Sequence, residues 1–411
     1  MRYLLYLGVF FSFFSFIQCS TSTSDKEIAS IEELAIRGDE NYILSSDAVA
    51  VPDSLALDLE AGTLTAGQWN DLEAWDFWHK LIEEAHYQDY QEYWELYPKQ
   101  RYDVQVVDAL GQAASDVKVQ LIDPVAGVLW EARTNYQGRA SLWAQPFSST
   151  TEPVQGLELT LVHQKKTTKI GPAIPFEEGI TEWQLSPRVS TGVNQLEVLF
   201  VVDATGSMED EINYLKTELQ DVVEQYELLQ PATKLRLGSI FYRDYAPKAE
   251  YLTRVAPLSK DYQATFDFIN QQEANGGGDF AEAVEAALAT AIEDQSWSSN
   301  KATRLVFLLL DAPAHHNPKS LKQLQETLKL AAAKGVRIVP IASSGIDKET
   351  EFLMRFFSIL TGGTYVFITD HSGVGKGHIE PTVGDYEVEY LNDLLLKLLQ
   401  QYTTPSVNPM Q

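Results

Sequence analysis

Asp203, Thr205 and Ser207 stand at alternate positions in LFVVDATGSM, a carboxylate followed by two hydroxyls. That spacing turns three oxygen-bearing side chains toward one side of a loop. Hard oxygen donors of this kind suit Mg²⁺ or Mn²⁺ rather than a soft metal. The almost unbroken apolar run that begins at Val198 predicts a central parallel strand buried on both faces, so the three polar residues leave at its carboxyl end. After Ser207 the apolar residues Met208, Ile212, Leu215, Leu219, Val222 and Tyr226 follow a helical period, with Glu209, Asp210 and Glu211 in the first turn, where they suit the helix dipole. Strand, polar loop and helix in this order place the loop in the crevice beyond the strand ends, where open α/β sheets bind ligands.

DATGSM resembles the Asp-x-Ser-x-Ser signature of von Willebrand factor A domains, whose side chains help to hold a metal ion-dependent adhesion site (MIDAS). The resemblance spans about residues 194–402, half of the chain. It implies two further ligands, Asp279 in GGGDFAEAV and Asp311 at the end of LVFLLLD. The implied metal set is therefore Asp203, Thr205, Ser207, Asp279 and Asp311, holding Mg²⁺ or else Mn²⁺ or Ca²⁺. Asp279 stands where adhesion-type A domains usually carry a threonine hydroxyl. A plainer reading exists for each loop: Ser207 with Asp210, and Asp279 with Glu282, fit capping boxes, and Asp311 could begin a turn before Pro313. Three polar loops at the ends of separate strands favour the shared metal site. Tyr242, Arg243 and Asp244 end another strand on the same side. There Asp244 either supports the site or simply pairs with Arg243.

The elements that must position these residues read as an α/β fold, a doubly wound, mostly parallel sheet preceded by a small antiparallel β-sandwich. KLRLGSIFYRD, TRLVFLLLD, GVRIVPIA and GTYVFIT are further strands and YLTRVAPL is a short edge strand, while the resemblance implies one antiparallel edge strand and YEVEYLNDLLLKLLQQY as the last helix. Phe280, Ala283, Val284, Ala287, Leu288, Ala291 and Ile292 predict an amphipathic helix directly after GGGD. Residues 101–188 alternate in short β segments split by turn residues, and their order resembles carboxypeptidase regulatory-like or transthyretin-like modules. PRVSTGVN reads as the linker from this sandwich to the A domain. Residues 56–100 form a Trp-rich helical segment in which Leu72, Trp75, Trp78, Ile82 and Ala85 share one face, expected to dock on the next domain rather than to serve as a carbohydrate platform.

Residues 1–19 read as an export signal, with one basic residue, an apolar run and then a polar tract. Cys19, the one cysteine of the chain, closes that run as a lipoprotein attachment site would, although Gln18 departs from the small residue usual before it. Residues 20–55 read as a tether. A net charge of −27 argues against nucleic acid, which needs a basic footprint. HSGVGKGH is glycine-rich but lacks the full phosphate-loop pattern and reads as a surface loop. The expected function is a metal-dependent protein-binding module on the bacterial cell envelope, lipid-anchored and not an enzyme, with an unidentified protein partner. One alternative is a structural envelope module with a sealed metal. The other is a serine hydrolase built from Ser207, His315 and Asp311, for which the Gly-x-Ser-x-Gly elbow is missing.

Overall fold

Thr65–Trp69 forms strand β1, followed by two short helices, α1 (Trp75–Leu81) and α2 (Ala85–Trp94). The computed structural model describes residues 64–163, 166–185, 193–245, 250–278, 280–370 and 377–404, all within the unit Leu57–Gln411. The export signal with Cys19, the tether, most of the linker PRVSTGVN, Asp279 and most of HSGVGKGH lie outside the described residues.

The sandwich follows as β2 (Arg101–Val107), β3 (Lys118–Asp123), β4 (Gly127–Arg133), β5 (Arg139–Trp143), β6 (Glu158–His163), β7 (Lys166–Pro172) and β8 (Thr181–Gln184). One sheet runs β5-β2-β8 and the other β4-β3-β6-β7. All neighbours are antiparallel except β2 and β8, which are parallel. Alternation in the sequence produces the two faces: Val119 and Leu121 of β3 and Leu159 and Leu161 of β6 are buried, with polar residues between them facing outward.

The α/β unit then runs β9 (Gln195–Asp203), α3 (Glu209–Leu229), β10 (Lys234–Tyr242), β11 (Thr253–Ser259), α4 (Tyr262–Asn270), α5 (Val284–Glu293), β12 (Ala302–Leu310), α6 (Pro318–Lys334), β13 (Val336–Ala342), α7 (Lys348–Thr361), β14 (Tyr365–Thr369), β15 (Glu389–Tyr390) and α8 (Leu391–Thr403). Its sheet has the order β11-β10-β9-β12-β13-β14-β1-β15. The five strands from β10 to β14 are parallel, and β11, β1 and β15 run antiparallel to their neighbours. Both faces are covered, which is why β12 can be buried at all nine positions. Along β9, Val198, Phe200 and Val202 enter the core under α3, α4 and α8, whereas Leu199 and Val201 enter the core under α5, α6 and α7. That second core continues without a break into the sandwich, through Trp130, Leu142 and Trp143.

Two expectations for residues 56–100 need correction. The segment is not wholly helical, because Thr65–Trp69 joins the α/β sheet beside β14. Helical spacing begins only at Leu72, and Gly67 lets the Phe367 ring lie against the backbone, where an added Cβ would come within 2.6 Å of it. The single helix expected through Ala85 is broken at Glu84, whose extended backbone starts α2. Gln91 stabilises the break by donating a 2.9 Å hydrogen bond from Nε2 to the carbonyl of Ile82. The bend lets the aromatic stripe dock in two directions: Trp75 packs 5.6 Å from Trp143 of the sandwich, and Trp78 stacks 5.7 Å from Phe352 of α7.

Buried ion pairs cross these junctions. Asp71 accepts hydrogen bonds of 3.0 and 2.6 Å from Nε and Nη2 of Arg355 in α7, and both side chains are essentially inaccessible. Asp116 of the sandwich accepts 2.9 and 3.2 Å hydrogen bonds from Arg304 of β12. Removing one member of such a pair leaves a desolvated charge, which costs more than the pair itself contributes. Asp71→Ala is therefore expected to destabilise the protein by about 3–5 kcal/mol in urea unfolding, and the double variant Asp71→Leu/Arg355→Met by clearly less. Equal losses in the two variants would show that the cost arises from packing rather than from the orphaned charge.

Candidate metal centre

Asp203 is the last residue of β9 and is fully buried. Its Oδ1 accepts hydrogen bonds from the Thr205 backbone N–H and from Thr205 Oγ1, each 2.8 Å. Its Oδ2 is buried and, among the described residues, accepts no hydrogen bond of ordinary geometry. Among the described residues no Lys, Arg or His lies within ion-pair distance of this carboxylate. Arg243, the nearby cation, donates instead to the carbonyls of Ala204 and Glu273 and stacks over Tyr251. Burial, and next the negative charge of Asp311, push the Asp203 carboxyl up to about 7. The hydroxyl of Tyr242, the residue paired with Asp203 across β10, faces it, and burial together with the charge of Asp203 pushes that phenol up as well.

The loop between β9 and α3 holds the two hydroxyls beside this carboxylate. Thr205 Oγ1 and Ser207 Oγ are 3.4 Å apart, with Thr205 buried and Ser207 exposed. The capping box of Ser207 with Asp210 does not form. A 3-10 turn over Gly206–Met208 precedes α3, whose first turn is capped by no side chain. Glu282 lies ahead of α5, which starts at Val284 rather than directly after GGGD and likewise has no side-chain cap. The hydroxyl of Ser207 therefore has no capping duty to compete with a cation.

Two more polar loops reach the same crevice. The Asn275 N–H donates to the carbonyl of Ala204 (2.9 Å), and the Gly206 N–H donates to that of Gly276 (3.2 Å). Gly276 and Gly277 have φ of 84° and 96°, a left-handed path that brings the backbone over Thr205. Asp279 follows in that loop but lies outside the described residues. Asp311, just past the end of β12, is buried and raises the carboxyls of both Asp203 and Glu211. The crevice thus gathers Asp203, Thr205, Ser207 and Asp311. Among the described residues, no three His, Cys, Asp or Glu side chains stand close enough to hold a metal without the hydroxyls.

Two carboxylates at this edge carry roles that their positions in the sequence did not reveal. Glu211, in the first turn of α3, is buried; its Oε1 accepts from the N–H and Oγ of Ser344, its Oε2 has no hydrogen-bond partner, and burial pushes its carboxyl up to about 7. Glu282 is buried beside Gly277, its N–H donating to the carbonyl of Pro313 (2.9 Å). His315 is engaged elsewhere, its Nε2 lying 2.5 Å from Asp244 Oδ1, so Asp244 pairs with an imidazole rather than with Arg243.

A buried carboxylate oxygen without a hydrogen bond of ordinary geometry, hydroxyls at its side and further negative charge beyond are the environment that a hard divalent cation stabilises. Asp203, Thr205, Ser207 and Asp311 fit that group. When bound, the ion would supply positive charge and coordination positions for an oxygen ligand.

Without a cation the raised carboxyls are a liability with a defined sign. Between the unfolded-state values of 3.8 for Asp and 4.5 for Glu and the folded values of about 7, the folded protein retains protons that the unfolded chain has released. Stability in EDTA is therefore expected to fall as pH rises from about 4 to 7 and to level off above that. Mg²⁺ should stabilise more at pH 8 than at pH 5, where it must displace protons. Urea unfolding at both pH values, with and without the ion, tests this, and a metal-free stability that rises through the window would contradict it.

Residues 197–374 match the family model of the von Willebrand factor type A domain. The chain is 29% identical over 120 residues to the alpha-protein kinase vwkA of Dictyostelium discoideum, a match that covers 29% of this chain and 19% of that protein. It is 29% identical over 189 residues to a putative ariadne-like RING finger protein of Acanthamoeba polyphaga mimivirus, covering 42% of this chain and 18% of that one. The chain thus spans less than a fifth of the length of these relatives. Among solved structures it is similar to BatB, a conserved hypothetical protein of Bacteroides thetaiotaomicron, with a TM-score of 0.34, 13% identity, and coverage of 50% of this chain and 98% of BatB. With its mostly parallel sheet and helices on both faces, the α/β unit carries a von Willebrand factor type A domain over residues 197–374.

Proposed function

We propose that the chain is a non-enzymatic protein-binding module whose A domain captures its partner through a divalent cation, Mg²⁺ or else Mn²⁺ or Ca²⁺. Asp203, Thr205, Ser207 and Asp311 hold the ion, with Asp279 as a further carboxylate. The observation that carries this reading is the fully buried Asp203, which among the described residues has one oxygen without a hydrogen bond of ordinary geometry and no Lys, Arg or His within ion-pair distance. The apolar leader ending at Cys19 supports export and lipid anchoring at the bacterial cell envelope. The pairing of His315 with Asp244 departs from the triad expected of a hydrolase, in which Asp311 would hold that imidazole.

Charge refines the proposal. Asp203, Asp279 and Asp311 together bring −3 to an ion of +2, so the bound metal is a poor acceptor for a partner's carboxylate. The partner then offers a neutral oxygen, or water seals the ion and the module is structural.

Binding to the folded state alone should stabilise the protein by about 2.7 kcal/mol at a hundredfold excess of Mg²⁺ or Mn²⁺ over Kd, and Asp203→Ala should abolish the gain. Superimposable melting curves in chelator and in millimolar metal would sink the proposal. Asp279→Thr should weaken bare metal binding while strengthening capture of an Asp-containing peptide. Calorimetric titration of both proteins with metal and peptide reads both changes, and equal peptide affinity in the two would refute the charge argument.

A further inference from the structure

At the other edge of the same sheet, where β13 and β14 begin, the sandwich and the A domain enclose a crevice of about 50 Å³. Arg139 and Ser141 of β5, Asn135, Arg101 and Arg337 of β13 line it, with Glu73 at the exposed rim. The three guanidinium groups are not equivalent. Arg101 is neutralised by a bidentate pair with Asp103, at 2.9 and 2.7 Å. Arg337 is 5% exposed, makes only two long hydrogen bonds, 3.4 and 3.5 Å, to the carbonyls of Gly335 and Arg133, and has no carboxylate within ion-pair distance among the described residues. Arg139 makes no side-chain hydrogen bond or ion pair among the described residues, and its Nε is buried without a partner.

Nearby protein charge compensates only in part. The closest buried acid on this seam, Asp116, is already shared between Arg133 at 3.2 Å and Arg304 at 2.9 Å. Burial holds the Arg337 guanidinium below the ordinary arginine value, an effect that Tyr402 and Asp116 offset in part and Arg304 adds to. One buried and one half-buried cation, neither with a carboxylate within ion-pair distance among the described residues, therefore face one polar cavity in a chain whose net charge is −27. A buried charge of this kind is tolerated only with a counter-charge and hydrogen bonds. Asn135 adds a neutral donor, because its Oδ1 is used by the N–H groups of Gln137 and Arg139, leaving its amide NH₂ to offer.

We propose that this crevice is a binding site for a small oxyanion, a carboxylate or phosphate held by Arg139 and Arg337, which bridges the sandwich to the A domain. The volume admits only about a few waters, hence one oxyanion group rather than a polyanion. Planar guanidinium forks suit carboxylate and phosphate oxygens. The site stands on residues separate from the metal centre and does not depend on it.

The test is thermal melting and calorimetric titration of the full chain with sodium acetate and with sodium phosphate, in EDTA and at ionic strength matched with chloride. Wild-type protein is expected to show a saturable rise in Tm with at least one oxyanion beyond the chloride control. Arg139→Gln, which breaks no existing ion pair, should weaken that affinity about tenfold or more. Arg337→Met should abolish it where the variant folds; should it not fold, Arg139→Gln alone decides. A wild-type Tm that follows ionic strength only, or an oxyanion response undiminished in Arg139→Gln, would overturn the proposal.

Discussion

A carboxylate buried without a counter-ion is expensive, and among the described residues none is supplied to Asp203. Two hydrogen bonds from Thr205 satisfy one oxygen, the other accepts none of ordinary geometry among the described residues, and Asp311 adds charge of the same sign. Such an arrangement persists only because the surrounding sheet is strong enough to impose it. The parallel strands β9, β10 and β12 are buried on both faces, and their ends fix where the polar loops emerge. The stability of the core is thus the source of the electrostatic tension at its edge.

The flanking parts stiffen that sheet rather than hang from it. β1 pairs with β14 across more than three hundred residues of chain, with Thr65 and Thr369 hydroxyls 2.9 Å apart. Asp71 holds Arg355 of α7, Asp116 holds Arg304 of β12, and the tryptophans of the bent α1 and α2 fill the space between sandwich and sheet. A continuous hydrophobic core beneath α5, α6, α7 and the sandwich makes the two layers one packed body. The sandwich therefore acts as part of the support of the A domain.

The two edges of the sheet carry opposite imbalances. Unneutralised carboxylates collect where the parallel strands end, and unneutralised guanidinium groups collect where β13 and β14 begin. Each invites an ion of the opposite sign, a divalent cation at one and an oxyanion at the other, and each ion would bind the folded state in preference to the unfolded one.

The sequence by itself determined the local elements of the A domain and most of its candidate ligands, because periodicity and polar punctuation report burial along neighbouring residues. The apolar run before Asp203, the helix after Ser207 and the strand before Asp311 are legible in this way. Spacing alone could not separate a capping box from a ligand loop, and only the tertiary structure showed α3 and α5 starting without side-chain caps. Nor could it place Thr65–Trp69 in the sheet, since a short edge strand owes its pairing to a partner distant in sequence. Glu211, Glu282 and Ser344 were equally hidden, because an acid in a helix turn or a serine after a strand acquires its meaning from what the opposing loop brings to it. Arg139 and Arg337 look like ordinary strand residues, and it is the docking of two separate sheets that buries Arg337 and half-buries Arg139 without giving either a carboxylate partner among the described residues.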